Sequence, residues 1–188
     1  MVAPLDALTG VRTAVLVEGT SDLVAIETLA LRRGLDLDAN AVRVLAMGGA
    51  TEIRRYVSTL ATTGSGTTLA GLCDEAEEGY FRRALDHAGL DGAGFFVCHS
   101  DLEDELIRAL GVEAVVEVIE AQGELRSWLR FCKQPAQRAR SIDQRLHRFM
   151  GTRSGRKAQY AAALVEALDL RGVPAPLQRL LAHVVQDT

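Results

Sequence analysis

The sequence predicts an α/β fold: a mostly parallel four-stranded sheet flanked by helices, with a helical carboxyl-terminal extension. Three observations carry this. Short apolar, β-branched runs alternate with amphipathic segments through the first hundred residues. The connections between them are short, as in successive β-α-β units. Beyond residue 101 the strand pattern stops, and helix-like segments punctuated by Gly and Pro follow to the end.

Thr13–Val17 is a continuous apolar run and reads as a buried strand that stops at Glu18-Gly19. A helix follows over 21–33, with Thr20 or Ser21 as its N-cap and Gly34 at its end. Residues 41–46 form a second strand, Met47-Gly48-Gly49-Ala50 a turn, and 51–60 a second helix. Gly64-Ser65-Gly66 is a flexible turn, too short for a phosphate-binding loop and without its lysine. A third strand over 68–72 ends at Cys73-Asp74, and a third helix spans 75–87. A fourth strand over 94–98 ends at His99-Ser100-Asp101, where the Ser100 hydroxyl is placed to cap the next helix. Helical patterns then cover 102–110, 112–121, 124–132, 142–150, 156–168 and 175–184. Val115 to Ile119 is ambiguous, since its β-branched run also suits a short edge strand. The expected division is 1–120 for the α/β unit and 121–188 for a basic helical extension packed on it.

A chain of 188 residues with 48% hydrophobic and 24% charged residues has the composition of a folded globular protein. No apolar run approaches the roughly 18 to 20 residues that cross a bilayer, and the start lacks a signal-peptide pattern. Cys73, Cys98 and Cys132 are odd in number and widely spaced, so they read as reduced core thiols of a cytoplasmic protein. Charge is unevenly spread. Residues 120–157 hold ten Lys or Arg against three acids, leaving −11 on the remainder of a chain whose net charge is −4. Lysine is scarce: only Lys133 and Lys157 occur beside nineteen arginines.

The acidic excess is concentrated at strand ends. Glu18 closes the first strand, with Asp22 four residues on; Asp74 closes the third; Asp101 and Glu103 follow the fourth. Such positions border the cleft at the carboxyl edge of a parallel sheet. Glu18 also reads as a solvated loop acid, and the others suit a helix first turn, where an acid stabilises by a few tenths to about 1 kcal/mol. Several carboxylates brought together cannot all stay ionised without a cation. Hard oxygen donors in that number suit Mg²⁺ or Mn²⁺, and a pair of ions about 4 Å apart assists phosphoryl chemistry.

Val17-Glu18-Gly19-x-x-Asp22 after a strand, Asp74 after another, and Asp101-x-Glu103 together resemble a Toprim domain, over about residues 10–120. The strongest likeness is to the Toprim half of the OLD (overcoming lysogenization defect) nucleases, and Gly155-Arg156-Lys157-x-x-Tyr160 is similar to their helical extension. The resemblance implies a divalent-metal-dependent nuclease that hydrolyses DNA with two ions, Mg²⁺ or Mn²⁺. Glu18, Asp22 and Asp74 would hold one ion, Asp101 and Glu103 the second, and Lys157 would stabilise charge at the scissile phosphate. Glu18 and Lys157 are thus the implied catalytic pair. Two departures stand out. Ala76 replaces the second acid of the usual Asp-x-Asp, which leaves Glu77 or Glu78 to substitute or to do nothing. OLD proteins also carry an ATPase domain ahead of Toprim, and no phosphate loop is found here, so a separately encoded ATPase partner is one expectation. A ribonuclease similar to 5S ribosomal RNA maturases, and a non-catalytic metal-binding module, are the alternatives.

In the basic segment, arginines are interleaved with Trp128, Phe131, Phe149 and Tyr160. Trp128 and Phe149 read as core. Arg153, Arg156 and Lys157 read as phosphate contacts, because guanidinium groups bind phosphate bidentately and Gly155 lets backbone amides approach. The expected partner is nucleic acid, DNA before RNA, with no membrane contact and with a homodimer as a further expectation.

Overall fold

A computed structural model of the chain describes residues 10–62, 66–153 and 155–186. Gly64 and Ser65 of the expected flexible turn, and Ser154 of the basic turn, lie outside the described residues. The elements run β1 Thr13–Val17, α1 Thr20–Arg32, β2 Val42–Ala46, α2 Ile53–Thr62, β3 Thr68–Asp74, α3 Glu78–Ala88 and β4 Phe95–Cys98. Then come α4 Leu102–Leu110, α5 Val112–Ala121, α6 Leu125–Cys132, α7 Ile142–Met150, α8 Arg156–Ala167 and α9 Ala175–Gln186.

The four strands form one parallel sheet in the order β2-β1-β3-β4. Every residue of β1 is buried, as a central strand covered on both faces requires. Alternation sorts its side chains: Val15 and Val17 face the core shared with α1, α8 and α9, whereas Ala14 and Leu16 face α2 and α3. The first core continues without a break into Trp128, Phe149 and Tyr160, so sheet and extension share one apolar interior. Arg32 ties them further, donating to the Val165 and Leu168 carbonyls at the end of α8 at 2.6 and 2.8 Å. Gly71 marks a close approach in β3: a Cβ there would lie 2.5 Å from the Phe95 ring and 2.7 Å from the Leu16 carbonyl.

Three local expectations are corrected and one ambiguity is resolved. The N-cap of α1 is Gly19, not Thr20 or Ser21; Asp22 reaches back to accept from the Gly19 amide at 2.8 Å. Ser100 does not cap α4. It adopts φ +68°, and Asp101 is the cap, accepting from the Asp104 amide at 2.8 Å. Residues 115–119 are helical, since Val115, Val118 and Ile119 bury a face at 3.6-residue spacing that a strand would split. The third helix starts late, at Glu78, because the chain first turns through Asp74 to Glu77.

Candidate metal centre

The chain leaves β1 toward β2 on one side and later returns to β3 on the other. The direction of winding therefore reverses between β1 and β3, and the crevice outside their carboxyl ends is where open α/β sheets bind ligands. Register pairs Val17 with Leu72 and Asp74 with Cys98. Glu18 and Asp74 consequently flank that crevice, with Asp101 just beyond on the β4 side. The Glu18 carbonyl accepts from Gly48 and Gly49 at 2.9 and 3.1 Å, which fixes the backbone that carries this acid. Both glycines have positive φ, +85° and +137°, as this wrap of the turn demands.

Two groups of ligand atoms result. One atom each from Glu18, Asp74 and Glu77 lie within 4.8 Å of one another, and so do atoms of Asp101, Asp104 and His147. Among the described residues no such triad contains Asp22 or Glu103. Asp22 gives one oxygen to the Gly19 amide and is coupled to Glu18, Glu103 and Asp74 through charge. Glu103 is buried and meets Lys157 Nζ at 3.3 Å. His147 Nε2 lies 2.5 Å from Asp101 Oδ2, a contact that holds the imidazole against the cap of α4.

The electrostatics are those of an under-neutralised site. Burial, then the charges of Asp22 and Asp101, pushes Asp74 up to about 7. Burial also raises Asp22 to about 7, opposed by the Gly19 amide and reinforced by Glu103 and Glu18. A hydrogen bond shared with Glu18, and then burial, lifts Glu77 to about 8. Burial would raise Asp101 too, but hydrogen bonds from His147 and the Asp104 amide outweigh it and hold it below the usual carboxylate range. The same Asp101 bond raises His147. Glu77 Oε2 is buried without a hydrogen-bond partner, and buried Glu103 Oε1 has only its ion pair with Lys157. Unsatisfied, crowded oxygens of this kind fit a divalent cation, which would replace protons as the neutralising charge.

The basic segment departs from expectation at Arg156. That residue is only 4% exposed; its guanidinium bonds Glu124 at 2.7 Å and the Phe149 carbonyl at 3.0 Å, and lies 4.3 Å over the Phe149 ring. A side chain so committed cannot reach a nucleic-acid phosphate. Arg153 is exposed, and Lys157 points instead toward the acids. The residues that the sequence left out of the site are His147 and Asp104, while Glu77 was one of two alternatives. Asp104 stood inside an acid run, and its distance of three residues from Asp101 places both on one helical turn. His147 offered no local signal, because α7 meets α4 only in three dimensions.

A parallel sheet with acids gathered at its switch point, and a lysine delivered from a helical extension, is an arrangement similar to that of Toprim-type α/β domains. Residues 11–74 match the family model "Overcoming lysogenization defect protein-like, TOPRIM domain". The C-terminal region of the Burkholderia pseudomallei OLD protein superposes with a TM-score of 0.69 at 22% identity, covering 94% of this chain and 98% of that one. The C-terminal region of the Xanthomonas campestris pv. campestris OLD protein superposes at 0.66 with 24% identity, covering 94% and 95%. A second structure of that region, phased with iodine, gives 0.66 at 25% identity. No curated protein matches the sequence significantly. The chain therefore shares the fold of OLD C-terminal regions, and its residues 11–74 are similar to the OLD-like Toprim domain. Among the described residues no helix is long and apolar enough to cross a membrane.

Proposed function

We propose that the protein is a divalent-metal-dependent nuclease that hydrolyses phosphodiester bonds of DNA. The observation that carries this reading is Lys157, brought by α8 to 3.3 Å from Glu103 at the rim of the strand-end acids. A cation beside a carboxylate cluster suits a substrate that is itself anionic and gains charge in the transition state.

In this reading Glu18, Asp74 and Glu77 hold one Mg²⁺ or Mn²⁺ ion, and Asp101, Asp104 and His147 hold another. Asp22 and Glu103 supply further negative charge between them. Bound divalent ions would activate the attacking water and offset charge on the phosphate oxygens. Lys157 swings from Glu103 to the scissile phosphate and stabilises the leaving oxygen. Gly19 fixes Asp22 so that it cannot rotate out of the crevice, and His147 fixes Asp101. Arg153 contacts the backbone of the nucleic acid at the exposed edge of the same loop.

The test is metal-dependent nicking of supercoiled plasmid by purified protein, run beside structured RNA and with Glu18→Gln and Asp74→Asn variants. Loss of nicking in both variants, with circular dichroism unchanged, supports the proposal. Undiminished cleavage by Glu18→Gln protein sinks it, and cleavage of RNA alone reassigns the substrate.

A further inference from the structure

A cavity of about 290 Å³ opens beside the α8 N-terminus, between α6 and the residues that directly follow α7. Ser127, Arg130 and Gln134 line one wall, Arg153 the other, and Phe149 with the buried Arg156 the floor. The floor is set by packing: Phe149 is 1% exposed, and the Arg156 guanidinium is spent on Glu124, Thr152 and the Phe149 carbonyl. The walls are not. No hydrogen bond or ion pair engages the side chains of Ser127, Arg130 or Gln134 among the described residues, and Arg153 makes one loose contact, 3.6 Å from Glu124. Glu124 is already matched by Arg156, so Arg130 and Arg153 give the mouth a surplus of positive charge.

We propose that this cavity is a second subsite for the nucleic-acid backbone, taking a phosphate and its sugar from a nucleotide beyond the scissile bond. The proposal rests on the nucleic-acid reading above and specifies where the strand runs. Two cations converging with a hydroxyl and an amide suit an anion that also offers ester and sugar oxygens. The volume exceeds that of a lone phosphate group and admits the attached sugar. The aromatic floor is too covered for a base to stack broadly on it, which favours the backbone over the base. Position supports the same strand path. Consecutive residues on a helix project about 100° apart, so Arg156 facing the cavity and Lys157 facing Glu103 put the two sites on adjoining faces of one helix end.

The experiment measures equilibrium binding of a fluorescein-labelled DNA oligonucleotide by anisotropy, with Ca²⁺ in place of Mg²⁺, across a salt series. Arg130→Gln and Arg153→Gln should each weaken binding and flatten the dependence of log K on log salt by about one. The decisive variant is Ser127→Ala combined with Gln134→Ala, both neutral changes at the cavity wall. It should weaken binding about tenfold, one lost pair of polar contacts, with the salt slope unchanged and thermal unfolding unshifted. Binding by the double variant equal to that of the original chain overturns the proposal, because a general basic face would be indifferent to Ser127 and Gln134. Absence of measurable DNA binding by the original chain overturns it as well. If the variants behave as expected while plasmid nicking is absent, the subsite stands and the nuclease reading alone fails.

Discussion

Lys157 Nζ lies 3.3 Å from Glu103 Oε1, with the lysine side chain half exposed and the glutamate 6% exposed. The pair joins the extension to the strand-end acids at the lip of the crevice. Burial opposes the charged lysine, yet the charges of Glu103, Asp101 and Asp74 more than compensate and raise its pKa. Lys157 is therefore a fixed cation at neutral pH, not a proton donor. Its contribution is positional and electrostatic.

Replacing Lys157 by Met should lower the rate of plasmid nicking by about 10² to 10³, the cost of removing one positioned charge at a reacting phosphate. Mg²⁺ affinity, measured by isothermal titration, should not fall, since a positive charge has been taken away from the cation site. Lost affinity with an unchanged rate would place Lys157 in structural support of the acids.

The raised carboxyl groups give the apo protein a defined pH response. Asp22 and Asp74 rise from 3.8 to about 7, and Glu77 from 4.5 to about 8. The folded state thus holds protons more tightly than the unfolded chain, so stability is greatest below pH 4 for these groups and is lost as pH rises through 7 to 8. His147, also raised, adds in the same direction. Bound Mg²⁺ replaces those protons and should raise the melting temperature far more at pH 8 than at pH 5.5. Glu77→Gln should make the apo protein more stable at pH 8 and shrink the Mg²⁺ shift. Equal shifts at both pH values in scanning fluorimetry would contradict the site.

The sheet was legible because its signals are local. Thr13–Val17, Val42–Ala46 and the turn glycines carry their own periodicity, and the acids at the strand ends inherit positions from it. What escaped was set by packing between distant segments. His147 reaches Asp101 across 46 residues, and Arg156 looked like a surface arginine because its partners Glu124 and Phe149 are distant in the chain. The cap of α1 was misplaced for a subtler reason. Asp22, read as a metal ligand, bonds the Gly19 amide, so the side chain that caps the start of α1 lies three residues beyond Gly19, an N-cap with no side chain of its own to offer.

His147 makes a separable prediction about metal choice. Imidazole is a poor ligand for Mg²⁺ and a better one for Mn²⁺. His147→Ala should therefore reduce Mn²⁺ affinity about 10- to 100-fold, the usual cost of losing a ligand or its hydrogen-bonded support, and Mg²⁺ affinity much less. Competition titrations of both ions read the ratio. An equal loss for the two metals would mean that His147 only orients Asp101.

Arg156 and Arg153 stand three residues apart and should fail in opposite ways. Arg156 is enclosed: it pairs with Glu124, which also accepts from Tyr160 Oη at 2.8 Å, and it covers the Phe149 ring. Burial pushes Glu124 upward, but the hydrogen bonds from Tyr160 and Arg156 outweigh it and keep the carboxylate charged. Removing the guanidinium in Arg156→Ala strands that charge, at about 3 kcal/mol, or a fall of about 10 °C in a domain of this size. Arg156→Lys should recover little, because an ammonium cannot span Glu124, the Phe149 carbonyl and the ring together. Arg153→Gln, at an exposed position, should move the melting temperature by less than about 2 °C while weakening DNA binding. Should Arg156→Ala instead unfold like the original chain and lose only DNA affinity, its side chain would have to leave the interior in solution, and the buried pairing with Glu124 would not be what holds α8 in place.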